Sequence, residues 1–336
     1  MSEPTVRRRS LRLEDYVAGV KDGDRAVLGR AITLLESRRA DHRVLAQELL
    51  TRLLPATGGG QRIGVTGVPG AGKSTLIERL GLRLIEDGKR VAVLAVDPSS
   101  SRSRGSILGD KTRMGELARQ ERAFIRPSPT GGALGGVAAA TRETILLLEA
   151  AGFDVVLVET VGVGQSEILV AGMVDSLLLL LLAGAGDELQ GIKRGILELA
   201  DVVAINKADG ANLMAAREAR AQLAAALRFL PPQSRHWQPP VLAVSAADGS
   251  GLAELWAALD DHHRTLAAHG ELAAKRRRQA RDHLWSLLDD GLHRAFRQHP
   301  AVAARLRDVE RRVEGGELTP RQAAEQLLDA FGRPSS

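Results

Sequence analysis

An α/β fold, with a mostly parallel sheet covered by helices and a helical segment at either end, is what this sequence predicts. Two observations carry that expectation. Between Arg62 and about His262, short apolar runs alternate with stretches of helical spacing, and each run is apolar continuously rather than at every second residue. Strands of that kind are buried on both faces, as in a parallel sheet layered between helices. The first run, Ile63-Gly64-Val65-Thr66, leads directly into Gly67-Val68-Pro69-Gly70-Ala71-Gly72-Lys73-Ser74. That segment meets the pattern G-x-x-x-x-G-K-[ST] at every required position, and a helical stretch from Ser74 to Leu80 follows it.

The elements can be justified in chain order. Leu11 to Leu54 reads as two or three amphipathic helices, with Asp24 and Asp41 placed as N-caps before apolar positions at helical spacing. Pro55 and Gly58-Gly59-Gly60 break the pattern and mark a linker. After the first strand and its helix, the runs Val91 to Val96, Val155 to Glu159, Leu177 to Leu182, Val202 to Asn206 and Val241 to Ser245 complete the strands. The six leucines at 177–182 lie between Asp175 and Asp187, far short of the ~20 apolar residues a membrane span needs, so they read as a buried strand. Beyond Leu252 the chain turns helical again, with a long helix from Glu271 to about Gln298. In the last helix Thr319 caps, Pro320 is the first helical residue and Gln322 completes a capping box. The expected plan is a helical segment at 1–57, a nucleotide domain at 58–262 and a helical region at 263–336. The terminal helices read as too few for a core of their own, so they pack on the nucleotide domain or on a second subunit.

Composition narrows the function classes. The chain has no cysteine, which excludes disulfides, thiolate zinc sites and cysteine nucleophiles and fits a cytoplasmic setting. The amino terminus runs Val6-Arg7-Arg8-Arg9-Ser10 without the apolar core of a secretory signal. The net charge is +5, but aromatic residues make up only 3%, so the stacking platforms of single-strand binders are mostly missing and no nucleic-acid partner is expected. The densest basic run, Lys275-Arg276-Arg277-Arg278, reads as a solvated or partner-facing helix stripe.

The chemistry of the glycine-rich segment is that of a triphosphate cradle. Glycines at 67, 70 and 72 let the backbone curl so that N–H groups, together with a helix N-terminus, point at phosphate oxygens. Lys73 bridges the terminal phosphates, and the Ser74 hydroxyl takes one position on Mg²⁺. Asn206-Lys207-Ala208-Asp209, directly after an apolar run, then chooses the base. The Asp209 carboxylate accepts from both N1–H and the N2 amino group of guanine, while adenine offers neither donor and would leave a costly unpaired carboxylate. Ser245-Ala246, with Ala247 behind, adds a loop whose backbone N–H meets the guanine O6. Strand 155–158 delivers Glu159, and Glu159-Thr160-Val161-Gly162 stands where nucleotide hydrolases put a metal-side acid and a glycine beside the γ-phosphate. Strand 91–96 delivers Asp97, followed by Gly109-Asp110-Lys111-Thr112-Arg113. These acids bind magnesium or orient the attacking water, and Arg113 faces phosphate. A third loop, Gly186-Asp187-Glu188-Leu189-Gln190-Gly191-Ile192-Lys193-Arg194-Gly195, is glycine-bounded and charged.

Taken together, GVPGAGKST at 67–75, which extends the loop to Thr75, with VDPSS at 96–100, GSILGDKTRM at 105–114, ETVGVGQSE at 159–167, GDELQGIKRG at 186–195 and NKAD at 206–209, resemble the MeaB/ArgK family of P-loop GTPases. These are auxiliary proteins of cobalamin-dependent acyl-CoA mutases such as methylmalonyl-CoA mutase. The resemblance implies a GTP-hydrolysing chaperone that gates cofactor loading and protection of the mutase. It also implies a homodimer joined through the carboxy-terminal helices, with Mg²⁺ and GTP or GDP in each nucleotide domain. By the same resemblance Asp97, Asp110 and Glu159 match acidic positions of the metal and switch region. Lys193 matches a basic position in a third switch, with Asp187, Glu188 and Arg194 around it. Unlike Ras-like enzymes, the chain opens its metal-side motif with Glu159, and Gln165 stands three residues beyond Gly162. Water positioning therefore passes to Asp97, and intrinsic hydrolysis is expected to be slow until a partner reshapes the switches. Two other readings are a kinase or ATPase of periplasmic amino-acid (LAO/AO) transport, which the N-K-x-D segment opposes, and a metallochaperone GTPase. The second is opposed by the lack of cysteine and by a single adjacent histidine pair, His262-His263.

Overall fold

Strands form where apolar residues run without interruption, because only a sheet covered on both faces takes such runs out of water along their whole length. The computed structural model describes residues 11–37, 39–96, 114–126, 134–160, 166–183 and 194–332. Among them are seven strands: β1 (Gln61–Gly67), β2 (Val91–Val96), β3 (Ala123–Arg126), β4 (Val155–Thr160), β5 (Ser176–Leu182), β6 (Val202–Asn206) and β7 (Val241–Ala243). All pair in parallel, in the order β3-β2-β4-β1-β5-β6-β7. Six of them are the runs expected from sequence, although β7 ends at Ala243 rather than Ser245. The sequence does not announce β3: four residues are too few for a period to show, and pairing with β2, from Val91 with Ala123 to Leu94 with Arg126, is what defines this edge strand.

The two faces of β4 explain its continuous apolarity. Val156 and Val158 enter one core with Leu28, Ile32, Leu49 and Leu53, while Val155 and Leu157 enter another with Leu76, Leu80, Leu255 and Leu259. The first core lies under α1 (Leu13–Lys21), α2 (Arg25–Leu35) and α3 (Ala40–Leu53). The second lies under α4 (Lys73–Glu86) and, past the four-residue α5 (Gly115–Ala118) and the long α6 (Leu134–Ala150), under α10 (Leu252–Ala268). Between α6 and α10 come the short α7 (Ser166–Ala171) and α8 (Arg194–Leu199), then α9 (Leu213–Leu227), which closes a third cluster over β6 and β7. Asp24 caps α2 as expected, its Oδ1 accepting from Ala26 N at 2.8 Å and Val27 N at 3.1 Å, worth about 1 kcal/mol. Asp41 does not cap. Helix α3 starts at Ala40 with Arg39 at its N-cap, so Asp41 lies inside the first turn, where its carboxylate binds the Arg39 guanidinium at 2.7 and 3.1 Å.

The basic run at 275–278 is also reassigned in part. Lys275 and Arg276 turn inward while Arg277 and Arg278 are exposed. Arg276 binds Asp175 through Nε at 2.8 Å and Nη2 at 2.7 Å, and donates to the carbonyls of Gly58 and Gly60, each at 2.7 Å. Glu149 accepts from Arg62 Nε and Nη2, each at 2.8 Å, and from Gly58 N at 2.9 Å. The glycines expected as a linker are thereby tied to a buried ion network at the amino end of the sheet. Burial alone would lower the Arg276 pKa, but hydrogen bonding to Asp175 and the charges of Asp175 and Glu149 hold it above the ordinary guanidinium value.

The chain divides within α11 (Glu271–Gln298) into two compact units, Met1–Gln279 and Ala280–Ser336. In the second, α12 (Pro300–Glu314) and α13 (Pro320–Gly332) enclose Val302, Val309, Ala323, Leu327 and Ala330, with Phe296 and Phe331 against them. These helices, expected to lack a core, have a small one because two amphipathic faces meet. The capping box forms: Thr319 Oγ1 accepts from Gln322 N, and Gln322 Oε1 from Thr319 N, both at 3.3 Å. On α11, Leu284, Trp285, Leu288 and Leu292 form an exposed apolar stripe at helical spacing. No helix among the described residues is long and apolar enough to cross a membrane.

Candidate functional site

The site is assembled at the carboxyl ends of β1, β4 and β6, where open parallel sheets hold ligands. The turn after β1 depends on glycine at its first and last required positions. Gly67 has φ +149°, and a Cβ there would stand 2.1 Å from the Leu180 carbonyl oxygen of β5. Gly72, the left-handed N-cap of α4 at φ +85°, would bring a Cβ to 2.7 Å from Asn206 Nδ2. The chain then enters α4 at Lys73, and the first amides of a helix have no helical acceptor, so they are available to an anion. Pro69, Gly70 and Thr75 are exposed around this cradle, Ala71 is buried beneath it, and Val68 is half-buried.

Lys73 is folded back over its own loop. Its Nζ donates to Gly67 O at 2.9 Å and Val68 O at 3.2 Å, and the residue is only 8% exposed. Burial lowers its pKa, against the opposing charges of Glu159 and Glu167. Those two carbonyl bonds hold the ammonium where a phosphate group placed in the cradle can replace them. Beside it, Ser74 Oγ donates to Glu159 Oε1 at 2.7 Å. The two residues expected on the metal are thus already together, because β1 and β4 are neighbours with Val65 opposite Glu159. Below them the Thr160 hydroxyl donates to Thr66 Oγ1 at 3.0 Å, in full burial.

The second half of the site is organised by Asn206, 1% exposed at the end of β6. Its Nδ2 donates to Ala71 O at 2.7 Å, and its Oδ1 accepts from Ala246 N at 3.2 Å. One amide therefore ties the phosphate loop to the 245–247 loop. Lys207 follows in the left-handed region at φ +59°, an uncommon setting for a residue with a side chain, and the chain turns there so that Asp209 comes back toward Ser245. Ser245 Oγ donates to Asp209 Oδ2 at 2.5 Å and accepts from Ala247 N at 3.2 Å and Asp248 N at 3.3 Å. The backbone N–H groups expected to meet a guanine O6 are thus engaged inside the protein, through long bonds that an incoming carbonyl can share or replace.

Asp97, Asp110, Arg113, Gly162, Asp187, Glu188 and Lys193 lie outside the described residues, and Arg194 begins α8 with only its backbone described. One residue that the sequence reading passes over belongs in this neighbourhood. Glu167 of α7 is 6% exposed, and its Oε2 has no hydrogen-bond partner among the described residues. The available signal is its i,i+3 spacing from Val170, which packs on β1.

Comparison with known proteins agrees with this geometry. The family model described as "Methylmalonyl Co-A mutase-associated GTPase MeaB" matches residues 28–301. A protein of Mycobacterium tuberculosis described as "Probable GTPase" is 57% identical over 317 residues, covering 94% of each chain. The "Methylmalonic aciduria type A homolog, mitochondrial" of Mus musculus is 48% identical over 323 residues, covering 93% of this chain and 78% of that one. Among solved structures, a "LAO/AO transport system kinase" superposes with a TM-score of 0.78 at 39% identity, over 96% of this chain and all of that one.

Proposed function

The chain belongs to the family of methylmalonyl-CoA mutase-associated GTPases, MeaB, and on that premise we propose that its hydrolysis of GTP gates cofactor loading and protection in a cobalamin-dependent acyl-CoA mutase, methylmalonyl-CoA mutase first among them. The observation that carries the partner is the family match over residues 28–301, which spans the whole nucleotide site. A cytoplasmic setting and a homodimer belong to the same reading. The apolar stripe of Leu284, Trp285, Leu288 and Leu292 supports the dimer, since water-exposed leucines and a tryptophan on one helix face favour a covering partner.

Within the site, GTP occupies the cradle of residues 67–75 with its base between Asn206-Lys207, Asp209 and the Ser245–Ala247 loop. Mg²⁺ would be held by Ser74 and Glu159, joined by Asp97 and Asp110. The described groups fit a hard dication: the donors are oxygens, and the charges of two buried carboxylates, Glu159 and Glu167, act on the buried ammonium of Lys73. When bound, the ion neutralises charge at the β- and γ-phosphates. The chain's own part is positional: Lys73 leaves the carbonyls of Gly67 and Val68 for the phosphates, and Asp97 orients the attacking water. Arg113, Gly162, Asp187, Glu188, Lys193 and Arg194 form the switches that carry the nucleotide state to the mutase. Lys73→Ala is expected to weaken triphosphate binding and to cut turnover by roughly 10²-fold or more, as loss of a transition-state donor does. Parental turnover in that variant would refute the cradle.

The decisive experiment measures steady-state GTP turnover with and without saturating mutase co-purified from the native host, alongside a binding assay. Acceleration by the mutase is expected. Lys193→Ala should keep GTP affinity and basal turnover and still form the complex, yet lose most of the acceleration, because Lys193 acts on the transition-state charge only in the assembled complex. Full acceleration in the variant would remove the 186–195 loop from transmission.

A second reading, an ATP-using transport kinase, draws on the name of the solved "LAO/AO transport system kinase". Asp209, held by Ser245, opposes it, and equilibrium titration with GTP and ATP separates the two.

A further inference from the structure

We propose that Glu167, at the start of α7, holds a water of the Mg²⁺ shell, and so acts as a positioning residue for the nucleotide-bound cation. The proposal rests on the GTPase reading above. Glu167 is buried, and its Oε2 lacks a donor among the described residues. A buried carboxylate oxygen in that state is costly to a fold, and such groups mark places where function outweighs stability.

Placement says which function. Helix α7 leaves the carboxyl end of β4 and runs back along the sheet toward β5, as crossover helices do. Its Val170 lies directly on β1, where a Cβ added to Gly64 would come within 2.7 Å of Val170 Cγ1. Glu167 is one turn earlier on the same face, hence nearer the carboxyl ends, where Ser74 meets Glu159 and Thr66 meets Thr160. Its charge acts on the Lys73 ammonium together with that of Glu159. A permanent Lys73–Glu167 ion pair would be the simplest account of this acid, but Lys73 Nζ gives its hydrogen bonds to the carbonyls of Gly67 and Val68 instead. Mg²⁺ keeps several waters when bound with phosphates, and a bound dication makes those waters stronger donors. A buried carboxylate oxygen without a donor among the described residues, near the carboxyl ends of the strands, suits such a donor.

The test uses the full-length protein and a fluorescent GDP analogue, titrated with MgCl₂ for the parent and for Glu167→Gln. In EDTA the two should bind the analogue equally, whereas the Mg²⁺ concentration for half-maximal effect should rise about tenfold in the variant. The thermal midpoint in EDTA without nucleotide should stay level or rise in the variant, because a desolvated charge is removed. Coincident Mg²⁺ curves would overturn the proposal, and so would a lower midpoint in EDTA, which would make Glu167 a structural acid. If the parent itself ignored Mg²⁺, the metal-dependent GTPase reading would fall as well. A Mg²⁺-dependent parent whose Mg²⁺ curve the variant reproduces would remove Glu167 alone.

Discussion

Replacing Asp209 by Asn is expected to lower GTP affinity by about 10²–10⁴-fold and to raise affinity for XTP. Two hydrogen bonds from guanine N1–H and N2 to a carboxylate are worth about 1.5–3 kcal/mol each, which gives that range. The structure makes the direction firmer than the sequence could. Ser245 Oγ donates to Asp209 Oδ2 at 2.5 Å and is itself fixed by the amides of Ala247 and Asp248. In the variant, Ser245 retains its acceptor by holding the amide oxygen, which turns the NH₂ toward the base. Donor then faces donor at guanine, whereas xanthine offers O2 as an acceptor. Titration of GTP and XTP against both proteins measures the exchange, and an unchanged preference would take Asp209 out of the base pocket.

Arg276→Ala is expected to be the most damaging change away from the site, at about 3–5 kcal/mol of stability, because it strips the guanidinium partner from the buried carboxylate of Asp175, whereas Glu149 keeps Arg62. The side chains of Asp175 and Glu149 are both fully buried, and the Gly58 and Gly60 carbonyls lose their donors in the same step. Arg276→Lys should recover only part of the loss, since an ammonium cannot span Asp175 and two carbonyls in the fixed fork of a guanidinium. Thermal unfolding of the three proteins checks this, at roughly 2 °C or more per kcal/mol for a unit of this size. Neutral behaviour of Arg276→Ala would show that the network contributes no net stability.

How much of the site was legible in the chain depends on how local each part is. Gly67 to Ser74 could be read directly, because a single turn must satisfy steric and phosphate requirements within consecutive residues. Asp24 could be read as a cap for the same reason, whereas Asp41 could not, since Arg39 two residues earlier competed for its carboxylate. The strand β3 escaped because its four residues become a strand only by pairing with β2. Lys275 and Arg276 read as part of a solvated or partner-facing stripe because their partners, Asp175 and Asp201, stand far away in the chain.

The sequence by itself determined the parallel α/β class and carried the expectations of a nucleotide cradle at 67–75 and of guanine selection by Asn206–Asp209, since continuous apolar runs, glycine spacing and the Asn206–Asp209 segment each express a constraint within a few residues. Only the tertiary structure decided that Asn206 ties the 67–74 loop to the 245–247 loop, that Ser74 already meets Glu159, and that Glu167 is buried with an oxygen to spare. Those relations join residues 40 to 135 positions apart. What sets them is the order of strands in the sheet and the burial that order imposes, and neither is expressed in any local run of residues.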